Sequence, residues 1–525
     1  MDFDAIVIGS GFGGSITACR LAQHGRRVLV LERGRRWDPS NYPRRPEDEW
    51  IFSHRHPETF HGWADLRRFK GMAVLCGAAV GGGSLIYANV SAIPPQSAFE
   101  SGWPSEITFE GMQPYYATVA DVMDVQQVPP RQLSPRALLM QEAAQTLGQG
   151  QRFGRPTVAV SFDESRVFDY SVLPDPKNST PFVNKHGARQ GTCAQLGECD
   201  IGCRALAKNT LDRNYLFLAE KNGAEVRPLH LVTRIEPIAG GYRVGYNQLG
   251  DGTATPGTAT AERLVVAAGS MGSTELLLQC RDLHRTLPAL SPALGQHWSS
   301  NGDFLTPALY LHRELWADRG ITIGTVIDYL DGKDGGQTYW IQDGGTPNVL
   351  NKYFESLLSH LRRAPTETHL LEGLSMSSLL QHLTMLASNV AIAKHIMPWF
   401  AQGVDAGDGQ LHLTDGMLDL NWDISRSLML FETIQERHRT LSHATGGHPF
   451  PLPGWLLSHE LITPHPLGGC NMAASPSGGV VNHLGEVFGY PNLYVVDGAI
   501  VPRALGVNPS RTIGALAERI AGHMP

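Results

Sequence analysis

Gly9-Ser10-Gly11-Phe12-Gly13-Gly14, near the start of a 525-residue chain, spaces its glycines so that backbone could be brought against a phosphate. Gly9 suits a tight turn, Gly11 lets the main chain approach a pyrophosphate, and Gly14 allows a helix to lie close on a strand. Glu32 stands eighteen residues beyond Gly14, where a carboxylate can accept from ribose hydroxyls. A tight turn of an ordinary βαβ unit would use similar glycines. The acidic residue at this distance favours a dinucleotide, and FAD and NAD are not separated by this motif alone. Near the other end, Asp497 closes the apolar run Asn492–Val496, and a carboxylate at a strand's carboxyl tip can accept from ribityl hydroxyls.

Elements must hold these groups in place. Asp4–Ile8 is a short β-branched run that predicts a buried strand, Ser15–His24 a helix stopped by Gly25, and Val28–Leu31 a second buried strand. The helix would present free N–H groups and a partial positive charge at its amino end. Leu264–Ser270 predicts another buried strand, followed by a helix over Met271–Gln279. Asn508-Pro509-Ser510 opens a last helix through Ala517 and Ile520. A nucleotide fold therefore uses both ends of the chain, with the rest inserted. Residues 126–190 hold several prolines and short strand-like pieces. Residues 306–455 mix strand-like runs with the apolar stretch Leu370–Phe400, helically spaced in places: a core helix, or a wall of an apolar substrate pocket that touches lipid.

Composition narrows the classes. Hydrophobic residues are 42% and charged residues 18%, as in a globular protein, and a net charge of -7 leaves no basic footprint for nucleic acid. Seven cysteines, an odd number in a long chain, do not read as a disulfide framework, so a reducing, cytoplasmic location is expected. No secretory leader and no 18-residue apolar run is evident, so no membrane span is expected. Gly-x-Ser-x-Gly elbows and Walker motifs are missing, which gives acyl and phosphoryl transfer no support.

Four blocks in order resemble the glucose–methanol–choline (GMC) oxidoreductases, in their cholesterol-oxidase-like branch. They are the opening motif through Glu32-Arg33-Gly34, the Gly-rich Gly77–Leu85, the run Leu294–Asp303, and His465-Pro466-Leu467-Gly468-Gly469-Cys470 with Tyr490–Gly498 and Gly506-Val507-Asn508-Pro509. The resemblance implies an α/β protein: a Rossmann-like FAD-binding domain with an inserted α+β substrate-binding domain. The FAD-binding parts are then residues 1–125, 205–305 and 456–525, and the substrate parts 126–204 and 306–455. It implies FAD held by Gly9, Ser10, Gly11, Phe12, Gly13, Gly14, Glu32, Arg33, Gly77, Gly81, Gly82, Gly83, Ser84, Ala268, Gly269, Asn301, Asp497, Gly498, Asn508 and Pro509. No His lies within Gly77–Leu85, which favours noncovalent FAD. His465 and Asn508 fall on the family's catalytic pair. Their chemistry suits it: imidazole can accept the proton of an alcohol as hydride leaves its carbon, and an amide can hold the same oxygen as donor.

The expected reaction is oxidation of a bulky apolar alcohol, a sterol, steroid or terpenoid, with electrons passing to dioxygen or another acceptor. The alternatives are a non-redox or light-driven lyase or decarboxylase on the same scaffold, or a sugar or aryl alcohol dehydrogenase. Two departures bear on the substrate. The Glu that moves a proton during isomerisation in cholesterol oxidases has no counterpart near Ser388–His395, where Asn389 is closest and Glu372 is out of register. Tyr87 stands where the family often has Asn, with Asn89 two residues on. Cys193, Cys199 and Cys203 lack the paired spacing of a metal site, so no metal is expected; a local disulfide or plain loop packing are the other readings.

Overall fold

β1 (Phe3–Ile8), α1 (Phe12–Gln23) and β2 (Val28–Leu31) follow one another in a computed structural model that describes residues 1–347 and 392–525. Ala5–Ile8 and all of β2 are buried, as strands covered on both faces must be, and the two run parallel. A small sheet pairs β3 (Ala64–Phe69) with β4 (Met72–Gly77), which ends in the second Gly-rich segment.

The main sheet takes four more strands from the middle of the chain: β5 (Glu225–Arg227), β6 (His230–Ile238), β7 (Gly241–Gly250) and β8 (Thr253–Val266). The first half of β8 pairs antiparallel with β7; its last residues, Leu264–Val266, run parallel to β1. The substrate sheet is built from β9 (Phe304–Leu309), β10 (Val326–Asp334), β11 (Gln337–Asp343) and β12 (Ile396–Gly403), flanked by the short strands Phe153–Gly154 and His448–Pro449. Every pairing in it is antiparallel. β13 (Leu461–Thr463) pairs with β4, and β14 (Leu493–Val495) completes the main sheet beside β8. The parallel order β5-β2-β1-β8-β14 thus joins stretches from the beginning, middle and end of the sequence.

Helices cover both sheets. α2 (Phe109–Val122) and α7 (Ser510–Ala521) pack together, and α7 also lies on α1. α3 (Pro135–Thr146) and α6 (Leu428–Ala444) cover the substrate sheet; α4 (Tyr215–Lys221) lies on α1, and α5 (Gly269–Leu278) follows β8. Glu518 of α7 takes a two-pronged contact from Arg20 of α1 at 2.7 Å and the Tyr215 hydroxyl at 2.5 Å. The architecture is a Rossmann-like α/β sheet with an inserted α+β unit.

The expectation of helical spacing over Leu370–Phe400 is corrected in part. Residues 370–391 lie outside the described residues, and Ile396–Gly403 is the strand β12, held between β9 and β11 with Met397, Trp399 and Ala401 buried and Ile396 and Phe400 half-buried. No helix among the described residues is long and apolar enough to cross a membrane.

Candidate active site

The carboxyl ends of β1, β8 and β14 converge on the start of α1, and glycine makes that approach possible. Gly9 turns at φ +95°, and a Cβ there would lie 2.4 Å from the Ala267 carbonyl oxygen. A Cβ on Gly14 would meet the Gly9 oxygen at 2.1 Å, and one on Gly13 the Val496 oxygen at 1.5 Å. Gly11 differs: nothing lies within 4 Å of where its Cβ would be. α1 begins after Gly11 with no side-chain cap and no acid in its first turn. That open, uncapped amino end is suited to an anion. Glu32, 5% exposed, accepts from the Ser10 amide (2.9 Å), the Ser10 hydroxyl (2.7 Å) and the Gly34 amide (2.8 Å), and burial pushes its carboxyl up.

The second Gly-rich segment closes on the first. The Ser10 hydroxyl accepts from the Gly81 amide at 3.0 Å, and a Cβ on Gly82 would lie 2.6 Å from the Gly11 Cα. Gly77 backs onto Gly82, Gly83 faces open space, and Ser84 is bonded to the Gly81 carbonyl and the Leu211 amide. Phe12 sets its ring edge-on to Tyr87 at 5.6 Å. Asp497 accepts from the amides of Gly269 and Ala499 and from the Ser273 hydroxyl, which joins Ala268-Gly269 to Gly498; burial pushes its carboxyl up to about 6.

Two residues expected at the cofactor turn elsewhere. The Arg33 guanidinium pairs with buried Asp65 at 2.8 Å and lies over Phe52, because Asp65 needs a counter-charge. Asn301 is turned inward: its Nδ2 donates to the Val507 carbonyl and its Oδ1 accepts from the amides of Leu505 and Gly506. It fixes the loop that carries Asn508, ahead of Pro509 at the start of α7.

His465 and Asn508 meet where the two sheets face each other, with Asn508 Nδ2 3.4 Å from His465 Nε2. The substrate sheet supplies three side chains that sequence reasoning missed or left without a role. Asp303, just before β9, has both carboxylate oxygens 2.9 Å from His465 Nδ1. Gln342 of β11 donates to Asn508 Oδ1 at 2.6 Å. Gln402 of β12 brings its amide nitrogen to 3.1 Å from His465 Nδ1, while its oxygen accepts from the Trp340 indole at 2.7 Å. Gln342 and Gln402 are fully buried, and polar residues inside apolar strands are the one signal the sequence offers for them. Asn89, also fully buried, has neither side-chain atom partnered and sits at φ +67°.

Those features fit a flavin dinucleotide: an uncapped helix start, space at Gly11 and Gly83, and an orphaned buried amide at Asn89. Bound there, it would supply a two-electron acceptor. The chain's own residues bind, orient and move the proton. Glu32, Asp497 and the first turn of α1 would hold the dinucleotide, and His465 Nε2 with Asn508 Nδ2 would grip a hydroxyl oxygen. The cysteine loop packs on the second Gly-rich segment. Cys193, Cys199 and Cys203 are free thiols, burial pushes those of Cys193 and Cys199 up, and the Lys208 ammonium donates to the Cys199 and Leu85 carbonyls.

Residues 418–517 match the family model described as GMC oxidoreductase, and residues 7–73 match an NAD(P)-binding Rossmann-like domain. Cholesterol oxidases of Mycobacterium tuberculosis and Acinetobacter baumannii are 31% and 29% identical to this chain over its whole length, covering 91% and 94% of theirs. The chain belongs to the GMC oxidoreductases. Within them it falls in the cholesterol-oxidase-like branch, and it is a flavoprotein-type alcohol oxidoreductase. A long-chain-alcohol oxidase of Arabidopsis thaliana, 23% identical over 99% of this GMC chain and 66% of its own, is a more distant relative. A pyridoxine 4-oxidase structure from Mesorbium loti shares the fold with a TM-score of 0.64 at 16% identity, covering 99% of this chain and 98% of that one.

Proposed function

We propose that the chain binds FAD in the cleft between the two Gly-rich segments and oxidises a bulky apolar alcohol, of the sterol, steroid or terpenoid kind, to a carbonyl compound. The reading rests on one observation: His465 Nε2 and Asn508 Nδ2 lie 3.4 Å apart at the junction of nucleotide and substrate sheets. The alcohol proton passes from oxygen to His465 Nε2 while the Asn508 amide donates to the same oxygen. Electrons leave the site to dioxygen or another acceptor. Phe400, whose ring lies 6.3 Å from that of His465, supplies apolar surface beside the pair, and the names of the two full-length relatives point to a sterol. Isomerisation of the product is not included, since Ser388–His395, where its Glu would fall, holds no acid.

The test is anaerobic. Purified protein loaded with FAD is mixed with cholesterol, a terpenol, a long-chain alcohol, an aryl alcohol and a sugar, and flavin absorbance is followed. Bleaching is expected with the sterol or terpenol, slowed by about 10²–10⁴-fold in His465→Ala. Protein that takes up no FAD, or bleaching at full rate in His465→Ala and Asn508→Ala, overturns the reading. Admitting air then separates oxidase from dehydrogenase.

A further inference from the structure

We infer that Asp303 is the positioning residue of the reaction: it keeps the His465 proton on Nδ1, leaves Nε2 free to take the alcohol proton, and balances the imidazolium that results. The inference rests on the proposed alcohol oxidation at His465.

The tautomer follows from a chain of hydrogen bonds whose direction is fixed at one end. An indole N–H can only donate, so Trp340 Nε1 fixes Gln402 Oε1 as acceptor and turns the Gln402 NH₂ toward His465. Gln342 Nε2 lies 3.5 Å from the same Gln402 oxygen and 2.6 Å from Asn508 Oδ1, so it donates to both. Asn508 is thereby left presenting its NH₂ to His465. The Asn508 N–H donor then stands 3.4 Å from Nε2 and two carboxylate oxygens stand 2.9 Å from Nδ1, while the Gln402 NH₂ lies beside the ring, 3.1 Å from Nδ1 and 3.4 Å from Nε2. Only a ring with its hydrogen on Nδ1 satisfies both sides.

The charge argument is independent of the tautomer. Asp303 has a fully buried side chain, and burial pushes its carboxyl up against the lowering by His465 and Thr463. Two other buried carboxylates have arginine, Asp65 facing Arg33 and Arg67 and Asp343 facing Arg136, whereas Glu32, Asp405 and Asp497 are held by amides and hydroxyls alone. Among the described residues, Asp303 pairs with no Lys or Arg, and the His465 imidazole is its one basic partner. A carboxylate so placed attracts a proton to the imidazole when the alcohol O–H bond breaks and the Nε2–H bond forms; the proton later leaves to water. Thr463 clamps the geometry. Its hydroxyl lies 2.5 Å from Asp303 Oδ2 and accepts from the His465 amide at 2.9 Å, so one residue of β13 aligns both partners. Facing His465 are Asp303 ahead of β9, Gln402 and Phe400 from β12, Asn508 ahead of α7 and Thr463 beside it; Asp303 alone of these titrates.

Asp303→Asn in the FAD-loaded enzyme separates this role from a structural one. The amide can donate to Nδ1, which moves the ring hydrogen to Nε2 and blocks the base. Anaerobic flavin reduction by the best alcohol is expected to slow by about 10²–10⁴-fold. Carbethoxylation of His465 by diethyl pyrocarbonate, which needs the neutral imidazole, is followed against pH on the His465 peptide by mass spectrometry. Its midpoint is expected to move down by about one pH unit, because a facing negative charge is gone. Asp303→Glu should restore most of the midpoint and part of the rate. An unmoved midpoint overturns the inference, whatever happens to flavin content or unfolding temperature. If Asp303→Asn does not fold, ¹⁵N-histidine spectra of the wild-type enzyme decide: the resonance pair missing from His465→Gln should carry its hydrogen on Nδ1, and a hydrogen on Nε2 overturns the inference. Wild-type flavin that no alcohol bleaches would defeat the proposed function while leaving the midpoint shift readable.

Discussion

Gly11 and Gly13 flank Phe12 at the start of α1, yet a methyl group added to each would meet opposite surroundings. At Gly13 it would enter the Val496 carbonyl, backbone of a buried strand end that cannot yield. Gly13→Ala is expected to cost at least about 3 kcal/mol, read as a lowered unfolding midpoint even without flavin. At Gly11 it would enter open space at φ -70°, a conformation alanine accepts. Gly11→Ala should leave the flavin-free midpoint within about 0.5 kcal/mol of wild type, yet weaken FAD binding about tenfold or more in a titration. The sequence made Gly9, Gly11 and Gly14 legible because their spacing is a motif. Asp303, Gln342 and Gln402 have no motif. Their roles arise from strands that meet only in the folded chain, and Asp303 stood inside a recognised block without a task. Arg33 and Asn301 have protein partners, Asp65 and the Leu505–Val507 loop, that the linear order does not reveal.

At the scale of elements, β1, β2, β14 and the end of β8 were readable because parallel strands covered on both faces are unbroken apolar runs. The substrate sheet was not. Pro307 of β9 and Pro398 of β12 lie opposite each other in register, and proline inside a run argues against a strand. β12 also carries Gln402 and β11 carries Gln342, which blur the apolar pattern. α6 adds a buried His438, whose Nδ1 lies 3.0 Å from the Thr306 hydroxyl of β9 beside Phe304. Burial pushes that imidazole down to about 3. An unfolded chain binds its proton near pH 6.5 while the folded one does not, so the stability present above pH 6.5 is lost as pH falls from there toward 3. The slope is up to about 1.4 kcal/mol per pH unit from this one residue. Urea midpoints at pH 7, 6 and 5 should fall in the wild type and fall less in His438→Gln. Equal slopes would remove His438 as the cause.

At the scale of the molecule, the parallel sheet gathers β1 and β2, then β5 and β8, then β14, and α7 is tied back to α1 through Glu518, Arg20 and Tyr215. Such contacts between distant stretches close late, since long loops must be ordered before any reward is gained. Synthesis on the ribosome makes that delay explicit. A nascent polypeptide that has reached Tyr490 has its dinucleotide turn but not the Val496 carbonyl that floors Gly13, nor Asp497, nor the helix that seats Glu518. Ribosome-arrested chains ending at Tyr490 are expected to be cut by protease within residues 3–31 under conditions that spare the released full-length protein, and to gain no flavin fluorescence. Resistance at that length would show that the amino-terminal unit matures unaided. Cofactor loading on this view waits for the far end of the fold, and flavin is held only once Ala521 has cleared the exit tunnel.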